Sequence, residues 1–321
     1  MRGAGRLAGP LLVASLAASL APRVALAHVG LAPAPHDVWT HWGASPVEVL
    51  LLTLPAAWYA VGVRALWRSA GVGHGVTRAA AARFGLGMLV LWIALLSPLD
   101  AMADALFSAH MLQHMLLILA AAPLLVAGAP LVPMLWALPR AARRSSGRWW
   151  AGRPAARAAV DALLSPLVVF ALHALAIWFW HAPGPYQAAL ARPWVHALEH
   201  ASFLLTACAF WWVVAPPVGR RCAHAPALLL VVGTLAQTGA LGAILTLSVA
   251  PWYPAHAAGA RAWDTTLLGD QQLAGLLMWV PAGFVYVAAA ARLFLRWMAD
   301  DARRHAAPPD AVRPRAMEGI A

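Results

Sequence analysis

The sequence predicts an all-α polytopic membrane protein of seven transmembrane helices, with its N-terminus outside and its C-terminus inside after signal-peptide removal. Three observations carry this. Of 321 residues, 62% are hydrophobic and only 11% are charged, where a soluble domain carries about a quarter charged residues. Seven apolar segments, near 47–67, 83–99, 104–128, 160–181, 194–215, 226–249 and 269–295, are each long enough to cross roughly 30 Å of hydrocarbon at about 1.5 Å per residue. The arginines, finally, crowd alternate connections between those segments.

The first 27 residues read as a secretory signal. Arg2 and Arg6 form its basic start, Leu7 to Leu20 its short apolar stretch, and Ala25-Leu26-Ala27 its small-residue cleavage site; an uncleaved anchor is the alternative. Cleavage there would make His28 the new N-terminus. Residues 28–46 then form a periplasmic segment with His28, His36 and His41 in a Pro-rich context, read as a solvated tail, with metal chelation by the His28 amine and imidazole as the alternative. The membrane domain covers 47–297, and 298–321 is expected to be a disordered cytoplasmic tail rich in Pro and Arg.

The connections orient the bundle. Arg64, Arg68, Arg78 and Arg83 flank the first, Arg140 to Arg157 crowd the third, and Arg220 and Arg221 occupy the fifth. Arg292 to Arg315 lie at or beyond the last helix. The alternate connections hold only Arg192 and Arg261, with Asp100, Asp104, Asp264 and Asp270. The positive-inside rule makes the arginine-rich side cytoplasmic, as an odd number of spans requires. The expected location is a bacterial inner membrane. Trp39, Trp42, Trp194, Trp252 and Trp263 then fall at outer boundaries and Trp149, Trp150 and Trp297 at inner ones, as interfacial anchors.

Several function classes are excluded or weakened. The net charge of +11 comes from arginines placed as topology determinants, not as a nucleic-acid surface. The chain has no lysine, so a retinal Schiff base is impossible. Cys208 and Cys222 form neither a disulfide framework nor a CxxC pair.

Polar groups inside a bilayer are expensive and mark function. The third segment carries His110-Met111-Leu112-Gln113-His114-Met115, and the fifth opens with His196-Ala197-Leu198-Glu199-His200. Each histidine pair is four apart, hence on one helix face. His181 ends the fourth segment, with His173 two turns below, and Asp270-Gln271-Gln272 begins the seventh, with Met278 two turns deeper. All belong to the outer half. Neutral imidazole is the commonest metal ligand, and two such helices facing each other supply four nitrogens. Met111, Met115 and Met278 add thioethers suited to copper, above all cuprous copper. The expected metal set is His110, His114, His196, His200, Met111, Met115, His181 and Asp270, with Glu199, Gln113, Asp100 and Gln271 orienting the imidazoles. Pro123, Pro166 and Pro281 suggest kinks, and Gln237 and Thr238 read as interhelical glue.

Other readings of the same residues stay open. His196 to His200 matches H-x-x-E-H, the inverted zinc-peptidase motif. A b-type haem electron carrier would use one histidine from each of two facing helices. Copper import would need ligands reaching the cytoplasmic side, and the inner halves offer none.

At these positions the chain resembles a known family, the seven-span CtaG-type assembly factors of caa3-type cytochrome c oxidase. Three blocks carry the likeness: Ser97-Pro98-Leu99-Asp100 running on to His110 through Leu117; His196 through Phe203 with Phe210-Trp211-Trp212; and Asp270 through Pro281. The likeness covers roughly 45–297. Ala274, where glycine is expected, departs from the pattern. The resemblance implies a role in maturing a haem–copper oxidase, through formation of the copper centre of its catalytic subunit, with His110, His114, His196, His200 and Asp270 as functional positions. The expected partners are that subunit, a periplasmic copper chaperone and membrane lipid, with no nucleic acid. An unrelated single-span, cysteine-using copper chaperone shares the family's name, and its mechanism does not transfer. No covalent chemistry is needed, so the expected role is not enzymatic.

Overall fold

The computed structural model describes residues 33–40, 42, 46–216 and 224–306; the signal-like segment, His28 and His41 lie outside them. Among the described residues every regular element is a helix. Six are long and apolar enough to cross a membrane: Pro46–Ala70 (span 1), Arg78–Leu96 (span 2), Phe107–Ala127 (span 3), Pro193–Val214 (span 5), His224–Thr246 (span 6) and Leu267–Arg303 (span 7). Span 4 is a pair, Pro154–Leu163 and Pro166–His181, bent by 57°. Taken as one element it makes the seventh. Leu167, Leu205, Leu229 and Phe284 are largely exposed, as lipid-facing side chains should be.

Local chemistry sets where each helix starts, which hydropathy does not sense. Span 2 begins at Arg78, five residues before the expected start, because Thr77 Oγ1 accepts the Ala80 N–H at 3.1 Å. Ser97 ends that span and caps a separate helix, Pro98–Ala105, by accepting the Leu99 N–H at 3.2 Å. The expected third segment, 104–128, therefore divides. Leu106 is extended (φ −125°, ψ 130°), and the span proper restarts at Phe107. Pro166 opens the second half of span 4. A proline disfavours helix in the residue before it, and Ser165 is extended (φ −68°, ψ 145°), so the expected kink is a break.

Pro123 acts differently. It follows a six-residue π-helical stretch, Leu116–Ala121. Proline cannot donate to the carbonyl four residues back and its ring crowds it, and a widened turn relieves that crowding. Pro281 lies inside a continuous helix. That helix runs Leu267–Ala306, nine residues past the expected boundary at 297, so 298–306 is helical rather than tail. Arg303 pairs with Asp300, and His305 lies 3.6 Å from Asp301, on successive turns. Residues 307–321 lie outside the described ones.

Spans 6 and 7 make the most extensive contact, span 7 packs on the N-terminal half of span 3, and span 5 packs on spans 3 and 4. Span 3 is the most buried of the spans and is packed on by spans 2, 5 and 7. Small residues allow the tightest approach: a Cβ on Gly242 would lie 2.7 Å from that of Trp279, and one on Gly275 2.7 Å from the Gly242 carbonyl. Gln237 bridges helices as expected, its Oε1 accepting Trp178 Nε1–H at 2.8 Å, whereas Thr238 donates within its own helix to Thr234.

Two short helices, Pro183–Ala191 and Ala257–Ala262, close the end of the bundle that holds the histidines. Gly259 sits so close to Ala105 that a Cβ would meet its carbonyl oxygen at 1.9 Å. Trp263 is not a free interfacial anchor, since its Nε1–H donates to the Pro33 carbonyl at 2.7 Å and ties down the N-terminal segment. At the arginine-rich end a cleft of about 790 Å³ opens among spans 2, 3, 5 and 7. Its rim carries Arg83, Arg292 and Arg296. Among the described residues its lining includes no histidine, methionine, cysteine or carboxylate.

Candidate metal centre

The site is built where span 3 meets span 5. Span 3 starts at Phe107 with no capping side chain of its own, because Leu106 has none to offer. Asp270, from the first turns of span 7, fills that role. Its carboxylate accepts the N–H of Phe107 at 2.7 Å and of Ser108 at 3.2 Å, and the Ser108 hydroxyl also donates to it. A carboxylate on the exposed amides of a helix start is a strong, charge-assisted arrangement. It fixes the axial position of span 3, and with it the depths of His110 and His114 one and two turns below.

Those two histidines face His196 and His200 of span 5. Ring centroids stand 4.4 Å apart for His110–His114, 4.2 Å for His196–His200, 5.2 Å for His110–His196 and 5.3 Å for His114–His200. Glu199, on the intervening turn, points into the same space. Its two oxygens lie 3.6 Å from His110 Nε2 and 3.8 Å from His114 Nε2, too far for hydrogen bonds. One donor atom from each of His110, His114, Glu199 and His200 falls within 4.8 Å of the others. His196 flanks this group, stacked on His110.

His110, His114 and Glu199 are buried, His196 and His200 are half-buried, and the polar atoms of the group lack partners. Both ring nitrogens of His110 and of His114, Nε2 of His196 and of His200, and both oxygens of Glu199 have no hydrogen-bond partner. Each such atom, left empty-handed, costs about 1–3 kcal/mol. Three imidazoles and a carboxylate at this spacing match the donor set of a transition-metal ion. The arrangement fits an ion placed between them.

A family model described as cytochrome c oxidase caa3 assembly factor (Caa3_CtaG) matches residues 57–300. The chain belongs to this family of caa3 assembly factors. No curated protein and no solved structure was found to match it.

The other expected site residues of this assembly factor have different engagements. Asp270 faces the start of span 3, as above. Gln113 Nε2 donates to the Ala94 carbonyl and to Asp100 Oδ1, both at 2.7 Å. It therefore ties span 3 to the Pro98–Ala105 helix and orients no imidazole. Asp100, outside the spans, is pushed up to about 7 by burial, with Asp104 and Glu48 adding to the effect and Gln113 opposing it. Gln271 Oε1 accepts the Trp252 N–H at 2.7 Å, which fastens the connection between spans 6 and 7. His181 and Met111 pair with each other, and Met115 lines a small cavity beneath His114. His173 meets Thr206 at 2.9 Å, away from the group.

Sequence reasoning passed over Tyr186, Tyr253 and His256. The Tyr186 hydroxyl lies 2.7 Å from His256 Nε2, and the Tyr253 hydroxyl donates to the His181 carbonyl at 2.7 Å. The Tyr186 ring stands edge-on to His110 at 5.1 Å. With Phe107 they form an aromatic layer over the histidines, at the end of the bundle opposite the arginine-rich cleft. Burial pushes His256 down to about 4 and holds the Tyr186 hydroxyl well above its usual range, so Tyr186 donates to a neutral imidazole. The signal available beforehand was two of the chain's four tyrosines in short Pro-containing connections, Pro183-Gly-Pro-Tyr186 and Trp252-Tyr253-Pro-Ala-His256.

Proposed function

We propose that this assembly factor carries a copper ion as transient cargo in the His110–His114–Glu199–His200 group and delivers it, within the membrane, to the catalytic subunit of a haem–copper oxidase. The observation that carries this reading is the convergence of four buried, unpartnered donors within 4.8 Å. Copper in the cuprous state suits the electrostatics. One carboxylate with neutral imidazoles and a monovalent ion makes an uncharged complex, and a low-dielectric interior penalises net charge. The aromatic layer of Tyr186 and Tyr253 then acts as a door on the outer side, where a periplasmic copper chaperone would load the ion. The chain's role is to bind, hold and release, with no bond made or broken in a substrate.

The rival readings meet specific obstacles. A haem macrocycle has no room between rings 5.2 Å apart, and the cavity beneath His114 measures about 10 Å³. The zinc-peptidase reading needs His196 and His200 as paired ligands with Glu199 free as a base, whereas Glu199 is turned toward His110 and His114. Copper import needs ligands along the inner cleft, whose described lining has none.

The test is metal analysis of the purified chain from copper-replete cells, wild type beside His114→Ala and His200→Ala. The expected result is copper in the wild type near one per chain, reduced on the order of tenfold or more in each variant. Oxidase activity in cells carrying the variants should fall with it and recover in part on copper supplementation. Equal metal content in all three proteins removes the metal proposal.

A further inference from the structure

Adjoining the four-donor group is a second set of ligands with different chemistry. His181 Nδ1 is 2.6 Å from the Ile177 carbonyl oxygen. A carbonyl only accepts, so that nitrogen carries the ring's proton, and in the neutral ring Nε2 is left with a bare lone pair. Nε2 lies 3.2 Å from the sulfur of Met111, which is also an acceptor. Two lone pairs therefore face each other across a buried contact with no proton to share. A second proton on the ring would bridge them, yet no carboxylate is paired with His181 among the described residues. A soft cation bridges them without that difficulty.

Next to this pair is a small cavity of about 10 Å³, lined by His181, His114, Met115 and Met278, with Ile118 and Leu119 among its apolar walls. That volume is about one water-sized sphere. Thioethers are poor partners for water and good ones for a cuprous ion. His114 lines this cavity and also belongs to the upper group.

We propose a second, thioether-rich site for a soft monovalent cation, formed by His181 Nε2 and Met111 Sδ with Met115 and Met278 as further ligands, and reached from the upper group through His114. The proposal deepens the copper-cargo reading and rests on it for the identity of the natural ion. The ion moves by ligand exchange, imidazole and carboxylate for imidazole and thioether. It stays monovalent throughout, so no oxidant or reductant is involved. A site of neutral ligands holds the ion less firmly than one with a carboxylate, which suits the step before release.

The experiment uses silver(I) as a redox-inert probe and zinc(II) as a probe of the upper group, on the full-length chain in a Cys208→Ser, Cys222→Ser background. X-ray absorption reads the sulfur ligands around silver, and titration reads both affinities. The wild-type background should bind silver with sulfur neighbours. Met111→Leu with Met278→Leu, a swap that conserves volume, should lose that sulfur shell and weaken silver binding by about tenfold or more, with zinc binding and melting temperature unchanged. Glu199→Gln should do the reverse, weakening zinc and leaving sulfur-bound silver. Silver without sulfur neighbours, or an unaltered sulfur shell in the double variant, overturns the second site while zinc binding leaves the upper group standing. Sulfur-bound silver together with no zinc binding supports the second site and counts against the upper one.

Discussion

Asp270 is the sharpest place to separate a ligand from a residue that holds the site in position. Replacing it with alanine leaves the Phe107 and Ser108 amides and the Ser108 hydroxyl without their acceptor in a buried place. Each lost partner costs about 1–3 kcal/mol, and partial relaxation brings the total to about 3–5 kcal/mol. At roughly 2–4 °C per kcal/mol for chains of this general size, the melting temperature should fall by on the order of 10 °C. Asparagine keeps an oxygen that accepts an amide, so Asp270→Asn should recover most of that loss. Thermal unfolding of purified protein, followed by circular dichroism, gives the first readout; metal content of the same samples gives the second. Asp270→Asn should retain the wild-type metal content. An Asp270→Asn protein that melts normally but has lost its metal, beside an Asp270→Ala protein that also melts normally, would refute the capping argument and make Asp270 a ligand.

Two further predictions follow from particular contacts. His256, held at about 4 against an ordinary value near 6.5, refuses a proton that the unfolded chain binds between those values, so its contribution is intact above 6.5 and lost as pH falls toward 4, by up to about 3 kcal/mol. Asp100, pushed up to about 7, works in the opposite sense in the same window, so the wild type is compared with His256→Asn, where Asp100 is common to both. The melting temperatures of the two should converge as pH falls from 7 to 4.5, and parallel curves would show that His256 is not the titrating group. Gly242→Leu should force spans 6 and 7 apart against Trp279 at a cost of about 1–3 kcal/mol or more, whereas Gly239→Leu, whose Cβ meets nothing within 4 Å, should be near neutral. Equal melting temperatures for the two variants would show that the helix contact is not as close as described.

The i, i+4 histidine pairs show how much of the site was legible in the chain. Spacing alone places His110 with His114, and His196 with His200, on single faces, because helical period is a local property. Glu199 was legible as a residue that orients those imidazoles, or as the acid of an H-x-x-E-H motif. Its promotion into the donor group depends on span 5 rotating that turn toward span 3, a rotation set by packing between helices. Asp270 shows the opposite case. Its residue type and depth match those of a ligand, and only the arrival of an uncapped helix start from a segment more than 160 positions away gives it another partner.

Composition and apolar run length determined that this chain is an all-α membrane protein and roughly where its spans fall, because burial in lipid is a sum over local apolar length. The ends of those spans were decided by caps and prolines such as Thr77, Ser97 and Pro166, which hydropathy does not weigh. Which polar side chains meet, which of them are already satisfied, and that Tyr186, Tyr253 and His256 pack over the histidines were decided by tertiary structure alone. Hydrogen bonding and coordination act over about 3 Å, and only the packing of spans 3, 5 and 7 sets distances at that scale.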